Sequence, residues 1–152
     1  MRVISLQSGS NGNAIYVEAG GRKLLFDAGI SGKHAQLRLS EHGRDIRDVD
    51  AMLISHDHRD HIAMAGIYQR KFGLAMHVTE PTLEAGLRRH NLGRLGTVEH
   101  FRAGERIDLG DVIVETIPTP HDAADGCGFV ISAEGKRLGL LTDLARIFHT
   151  VD

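Results

Sequence analysis

A single cysteine, Cys127, among 152 residues excludes an intrachain disulfide framework. A reducing cytoplasm is therefore the expected setting. There is no Trp, and aromatics make up only 5%, so stacking platforms for single-stranded nucleic acid are scarce. The net charge of −2 gives no global basic field to draw in a duplex. That balance counts against duplex binding without ruling it out, because bound metal ions would bring local positive charge. No apolar run approaches the ~20 residues of a membrane span, so no membrane partner is expected. The opening Met1–Leu6 run meets the polar Gln7-Ser8-Gly9-Ser10 too soon for a signal peptide. Linkers, repeats and low-complexity tracts are also absent.

What remains is a globular composition, 41% hydrophobic and 25% charged, in a length suited to one domain over residues 1–152. Eighteen glycines predict many tight turns. Short β-prone runs at Arg2–Leu6, Ile15–Glu18 and Lys23–Phe26 are divided by glycine turns. Ser31 can cap a helix through about His42, ended by Gly43. Asp50–Ser55 reads as a buried strand and His61–Phe72 as the following helix, closed by Gly73. A strand at Leu74–Val78 and a helix from Thr79 to Arg89 come next, with Pro81 tolerated in its first turn. Strands return at Val98–Phe101, Val112–Ile117, Phe129–Ser132 and Arg137–Leu141, and Leu144 can begin a last helix. This order predicts a mixed α/β (α+β) layer architecture.

The chain is rich in one residue type: it has 10 histidines. Three of them fall in His56-Asp57-His58-Arg59-Asp60-His61, directly after the apolar run Ala51-Met52-Leu53-Ile54. Neutral imidazoles and carboxylates suit Zn²⁺ and its first-row neighbours. His56 and His58 lie two apart, so in an extended segment they point to the same side. Asp60 and His61 fall where a helix begins and can turn toward an adjacent position. One loop can thus feed two neighbouring metals. This spacing arises by chance in on the order of a few chains per thousand.

Further ligands must come from elsewhere in the chain. His121, in Thr119-Pro120-His121-Asp122, follows a strand and is the best third ligand for the first metal. Asp143 closes the run Leu140-Leu141-Thr142-Asp143, where a carboxylate can bridge two metals or cap a helix. Asp27 ends Leu24-Leu25-Phe26 and reads either as an orienting partner for a ligating His or as a turn residue before a glycine-containing loop. The loop Ser8-Gly9-Ser10-Asn11-Gly12-Asn13 offers Ser8, Ser10 and Asn13 as weak candidates for cradling an anion; a flexible turn is the plainer reading. His34, His42 and His90 fall on predicted helices with polar neighbours and read as solvated. Cys127 reads as a small buried filler.

With these residues in view, the chain resembles the metallo-β-lactamase fold hydrolases. His56-x-His58-x-Asp60-His61 after an apolar strand is similar to that family's signature. Asp27, His121 and Asp143 are similar to its first, third and fourth motifs. Ser8-Gly9-Ser10-x-Gly12-Asn13 and Thr119-Pro120-His121-Asp122-Ala123 resemble the YycJ/WalJ-like branch, whose members are regarded as cytoplasmic nucleases acting on DNA ends. The resemblance implies an αββα sandwich with two divalent metals at one edge: zinc, with manganese or iron as the other choices. Metal one would take His56, His58 and His121; metal two would take Asp60, His61 and a bridging Asp143. Asp60 and Asp143 would be the catalytic carboxylates, and a metal-bound hydroxide would attack phosphorus or a carbonyl carbon.

Members of the family are considerably longer and carry a final His that completes metal two. His149 is too near Asp143 in sequence for that role. The expectation is therefore the N-terminal part of the fold, with its C-terminal portion missing and the second metal site incomplete. Exposed sheet and apolar surface would then favour a homo-oligomer or a covering partner. Three functions stay open on sequence: a phosphodiester hydrolase acting on nucleic acid such as DNA, a hydrolase of a thioester or small cyclic phosphodiester, and a metal-binding module without turnover. The superfamily resemblance alone does not choose among them.

Overall fold

Turn chemistry sets the first third of the chain. The structure is a computed structural model and describes residues 1–119 and 122–143. The candidate ligand His121 and the helix predicted from Leu144 lie outside the described residues. Gly20 and Gly21 adopt left-handed φ values of 54° and 75°. They fold strand β2 (Ala14–Ala19) back on β3 (Arg22–Phe26) as an antiparallel hairpin, and β1 (Arg2–Gln7) pairs with the other edge of β2. After β3 the direction of pairing changes. Helix α1 (Gly32–Ser40) carries the chain back, capped by the Ser31 hydroxyl accepting from His34 N–H at 3.2 Å. Strand β4 (Ala51–Leu53) then lies parallel to β3. A parallel neighbour requires such a crossover.

The predicted helix over 61–72 is two helices, α2 (Arg59–Ile62) and α3 (Ala65–Phe72). The break has a specific cause. Ala28 N–H donates to the His61 carbonyl at 2.8 Å, and the Ala28 carbonyl accepts from Met64 N–H at 2.9 Å. The loop after β3 thus takes two backbone groups that a continuous helix would pair within itself. Gly73 closes α3 in the left-handed conformation, φ 72°, as its position predicts. Strand β5 (Met76–Val78), helix α4 (Glu80–Arg89) and strand β6 (Val98–His100) extend the parallel half, giving a six-stranded sheet in sequential order.

The second sheet is antiparallel, in the order β10 (Lys136–Leu140), β9 (Cys127–Ala133), β8 (Ile113–Pro118) and β7 (Arg106–Asp108). Strand β7 carries no sequence signal beyond a lone apolar Ile107 between charges; its pairing with β8 makes it a strand. Alternation along the central strands divides two cores. Leu25, Met52 and Tyr16 face α1 and α3, packing with Leu39, Tyr68 and Phe72. Leu24, Phe26 and Leu53 face the second sheet, packing with Val114, Phe129 and Ile131. A one-residue slip of β3 would exchange these sets, and each fully buried Leu or Phe side chain stabilises by about 1.5–3 kcal/mol. The described residues therefore form helix, sheet and sheet layers. The outer face of the second sheet carries the Arg137–Glu115 ion pair at 2.9 Å and the exposed Ile117. Among the described residues, no helix is long and apolar enough to cross a membrane.

Tyr16 and Tyr68 are fully buried. Burial raises both phenol pKa values, and at Tyr16 the hydrogen bond from its hydroxyl to Glu18 raises it further. Both phenols stay protonated in the fold while unfolded tyrosines ionise near pH about 10, so this stability is full below that pH and is lost as pH rises. Thermal melts should show a falling Tm above about pH 10, and Tyr68→Phe should flatten that fall. An identical alkaline slope in the variant would contradict the assignment to Tyr68.

Candidate metal centre

The C-terminal ends of β3 and β4 lie side by side because the strands run parallel. Asp27 N–H extends the ladder by one bond, donating to the Leu53 carbonyl at 2.8 Å. Asp27 then takes φ 66°, a conformation Asp tolerates better than most residues, and its side chain turns inward to 4% exposure. Its carboxylate collects three partners. Oδ1 accepts from Ser55 N–H at 2.7 Å, and Oδ2 accepts from the Ser55 hydroxyl at 2.8 Å and from His61 Nδ1 at 2.6 Å. A carboxylate can only accept, so His61 carries its proton on Nδ1 and turns the Nε2 lone pair outward.

Ser55 repeats this logic at its neighbour. Its hydroxyl donates to Asp27, so it accepts from His56 Nδ1 at 2.9 Å. His56 Nε2 then faces the same space as His61 Nε2. Asp143 Oδ2 reaches into that space, 2.7 Å from His61 Nε2 and 3.5 Å from His56 Nε2. One oxygen of Asp143 thus touches a histidine from each of the two sets that the spacing suggested. Asp143 also adopts a left-handed φ, 53°. His56, His61 and Asp143 offer ligand atoms that all lie within 4.8 Å of one another.

Burial and the neighbouring His61 push the His56 pKa down to about 4. Burial also acts to lower His61, but the hydrogen bond and charge of Asp27, joined by Asp60 and Asp143, offset it and raise the pKa. A lone-pair nitrogen and a carboxylate oxygen facing each other at 2.7 Å require a shared cation, either a proton or a metal ion. The donor set of two imidazoles with carboxylates suits a divalent first-row ion. These residues fit the group.

Asp60 lies at the edge, with Oδ2 3.4 Å from His61 Nε2. Asn13 holds it there. The Asn13 side-chain amide lies 3.1 Å from both Asp60 Oδ2 and His61 Nε2, and its backbone N–H donates to the Asp60 carbonyl at 2.8 Å. Gly29 makes this approach possible, because a Cβ there would sit 1.7 Å from the Asp60 carbonyl oxygen. Of the three loop residues singled out in sequence, only Asn13 is buried at the site; Ser8 and Ser10 are exposed. His58 is not in the three-residue cluster. Its ring packs edge-on against His56 at 4.8 Å, and its Nε2 lies 3.2 Å from the Asp122 carbonyl.

Several supporting residues carried no sequence signal. Asp57, between two of the histidines, is fully buried. It pairs with Arg89 at 2.5 Å and accepts from Ala124 N–H at 3.0 Å. His90 corrects an expectation: its Nε2 donates to the Asp57 carbonyl at 2.8 Å, because α4 ends beside the loop, so it is not simply solvated. Cys127 is buried as expected, and its N–H donates to the Ser55 carbonyl at 2.9 Å.

Residues 8–150 match the model of the metallo-beta-lactamase superfamily. The chain belongs to that superfamily. Within it, the chain is 37% identical over 140 residues to exodeoxyribonuclease WalJ of Streptococcus pneumoniae serotype 2, covering 91% of this chain and 52% of that protein. It is 36% identical to exodeoxyribonuclease YycJ of Bacillus anthracis, with the same coverage. The chain thus spans about half the length of the curated relatives it matches. A solved metallo-beta-lactamase of Cronobacter sakazakii, the HARLDQ motif mutant S60, superposes with a TM-score of 0.75 at 18% identity, over 90% of this chain and 58% of that one. That likeness supports the superfamily fold with partial coverage, as the sequence resemblance implied.

Asp27→Ala would strip a buried imidazole, a buried hydroxyl and a buried backbone N–H of their acceptor. The expected cost is about 3 kcal/mol, since bonds to charged acceptors contribute roughly 1.5–3 kcal/mol each and relaxation recovers part. Urea denaturation measures it. A loss below about 1 kcal/mol would mean the Asp27 carboxylate does not organise the site.

Proposed function

We propose that this chain carries the metal-binding half of a metal-dependent phosphodiesterase acting on nucleic acid, of the DNA exonuclease kind. The observation that carries the reading is the convergence of His56, His61 and Asp143 on one point, in a chain more than a third identical to two exodeoxyribonucleases. Two divalent ions are proposed, zinc first and manganese or iron as alternatives. His56 and His58, with His121, would hold one; Asp60 and His61, with the bridging Asp143, would hold the other. A bound divalent ion supplies a lowered pKa for an attacking water and charge neutralisation at phosphorus.

The chain's own residues do the rest. Asp27 keeps the proton on His61 Nδ1, and Ser55 keeps it on His56 Nδ1, so both Nε2 atoms present lone pairs. Asn13 fixes the Asp60 carboxylate against rotation. Asp60 and Asp143 are the carboxylates beside the reacting group, placed to receive the proton of the attacking water as the P–O bond to the leaving nucleotide breaks.

The test is a metal-reconstituted assay on end-labelled DNA, run beside a bis-aryl phosphodiester. Turnover of DNA from one end is expected, removed by a chelator and restored by zinc or manganese. Metal bound with neither substrate turned over would reject the reading. His61→Ala should lower metal content and cut turnover by at least the roughly 10–100-fold that loss of an outer partner costs. Unchanged metal content in that variant would place the site elsewhere.

A further inference from the structure

Beside Asp60 the surface opens into a cavity of about 530 Å³, lined by Gln7, Ser10, Asn11, His34, Arg59 and Asp60 among others. Its volume falls in the range of ligand sites. Apart from Asp60, its charged or titratable side chains are Arg59 and His34, and the Ser10 hydroxyl and the Gln7 and Asn11 amides add donors. Arg59 is exposed, and among the described residues it forms no ion pair or side-chain hydrogen bond. Asp60 links the two places: it lines this cavity with Arg59 and lies 3.4 Å from His61 Nε2. The floor is fixed, since Gly29 packs directly against the Asp60 backbone.

We propose that this cavity is a second phosphate subsite, in which Arg59, assisted by His34, receives the backbone phosphate adjoining the one at the metal centre. The inference rests on the phosphodiesterase reading above and adds the polarity of the groove: the substrate strand leaves the centre between residues 7–11 and the start of α1. A guanidinium forks onto a phosphate with two parallel hydrogen bonds, a geometry a lone ammonium does not reproduce.

Binding of a fluorescent single-stranded oligonucleotide, followed by anisotropy over a salt series with and without added zinc, tests it. Arg59→Ala should weaken binding by about 10–100-fold, as expected for one charge-assisted contact. It should also reduce the slope of log K against log salt by about 0.7–1, the value for one phosphate on a single strand. Arg59→Lys should restore the slope but only part of the affinity. In turnover, the ratio of kcat/KM for a trinucleotide, which carries a second phosphodiester, to that for a bis-aryl phosphodiester, which lacks one, should fall about tenfold in Arg59→Ala, matching one lost charge-assisted contact. An unchanged slope, or equal losses on both substrates, would overturn the subsite while leaving the phosphodiesterase reading intact. Hydrolysis of the bis-aryl ester without oligonucleotide binding would overturn the subsite too. Absence of all turnover with metal bound would reject the underlying reading.

Discussion

The carboxylate of Asp27 is the constraint on which the site depends. It is buried at the junction of two parallel strands and satisfies a backbone N–H, a hydroxyl and an imidazole at once. A buried carboxylate is costly unless such partners surround it. The fold supplies them because β3 and β4 end at the same pair, Phe26 opposite Leu53, and the Ser55 N–H just beyond donates to the Asp27 carboxylate. The same bonds dictate tautomers: each histidine facing Asp143 has its Nδ1 committed to the protein. The chemistry at the surface is therefore set by a group that never reaches it.

Around this point the backbone is knitted by exchanges between loops. Ala28 trades bonds with His61 and Met64, and Asn13 does so with Asp60 and Gly29. The helix that a 3.6-residue pattern suggests is cut in two to allow the first exchange. That break gives Asp60 and His61 a short helix of their own, α2. Local propensity yields here to long-range pairing, which offers the same backbone groups partners across the site.

Much of this was legible in the sequence. The His-x-His-x-Asp-His spacing located the site because its residues are contiguous and chemically unusual. The apolar runs before Asp27 and His56 located the strand ends, because buried central strands leave long hydrophobic traces. What was hidden depended on pairing. Strand β7 has only one buried residue of its own, Ile107. Asn13 looked like one polar residue in a soft turn, yet it contacts residues 47 and 48 positions away. Asp57 and His90 meet across 33 positions through a carbonyl group, and a carbonyl carries no residue identity to read.

Asp57 has a wider consequence. It lies inside the ligand loop, yet it spends its charge on Arg89 and on the backbone of Ala124, while Asp57 and Asp60 give their carbonyls to His90 and Asn13. Asp57 is thus bonded to protein rather than aimed at an ion. Small metal-folded domains, by contrast, collapse only when their ion arrives. Here protein groups alone, from α4 and from Ala124, already hold the loop at Asp57.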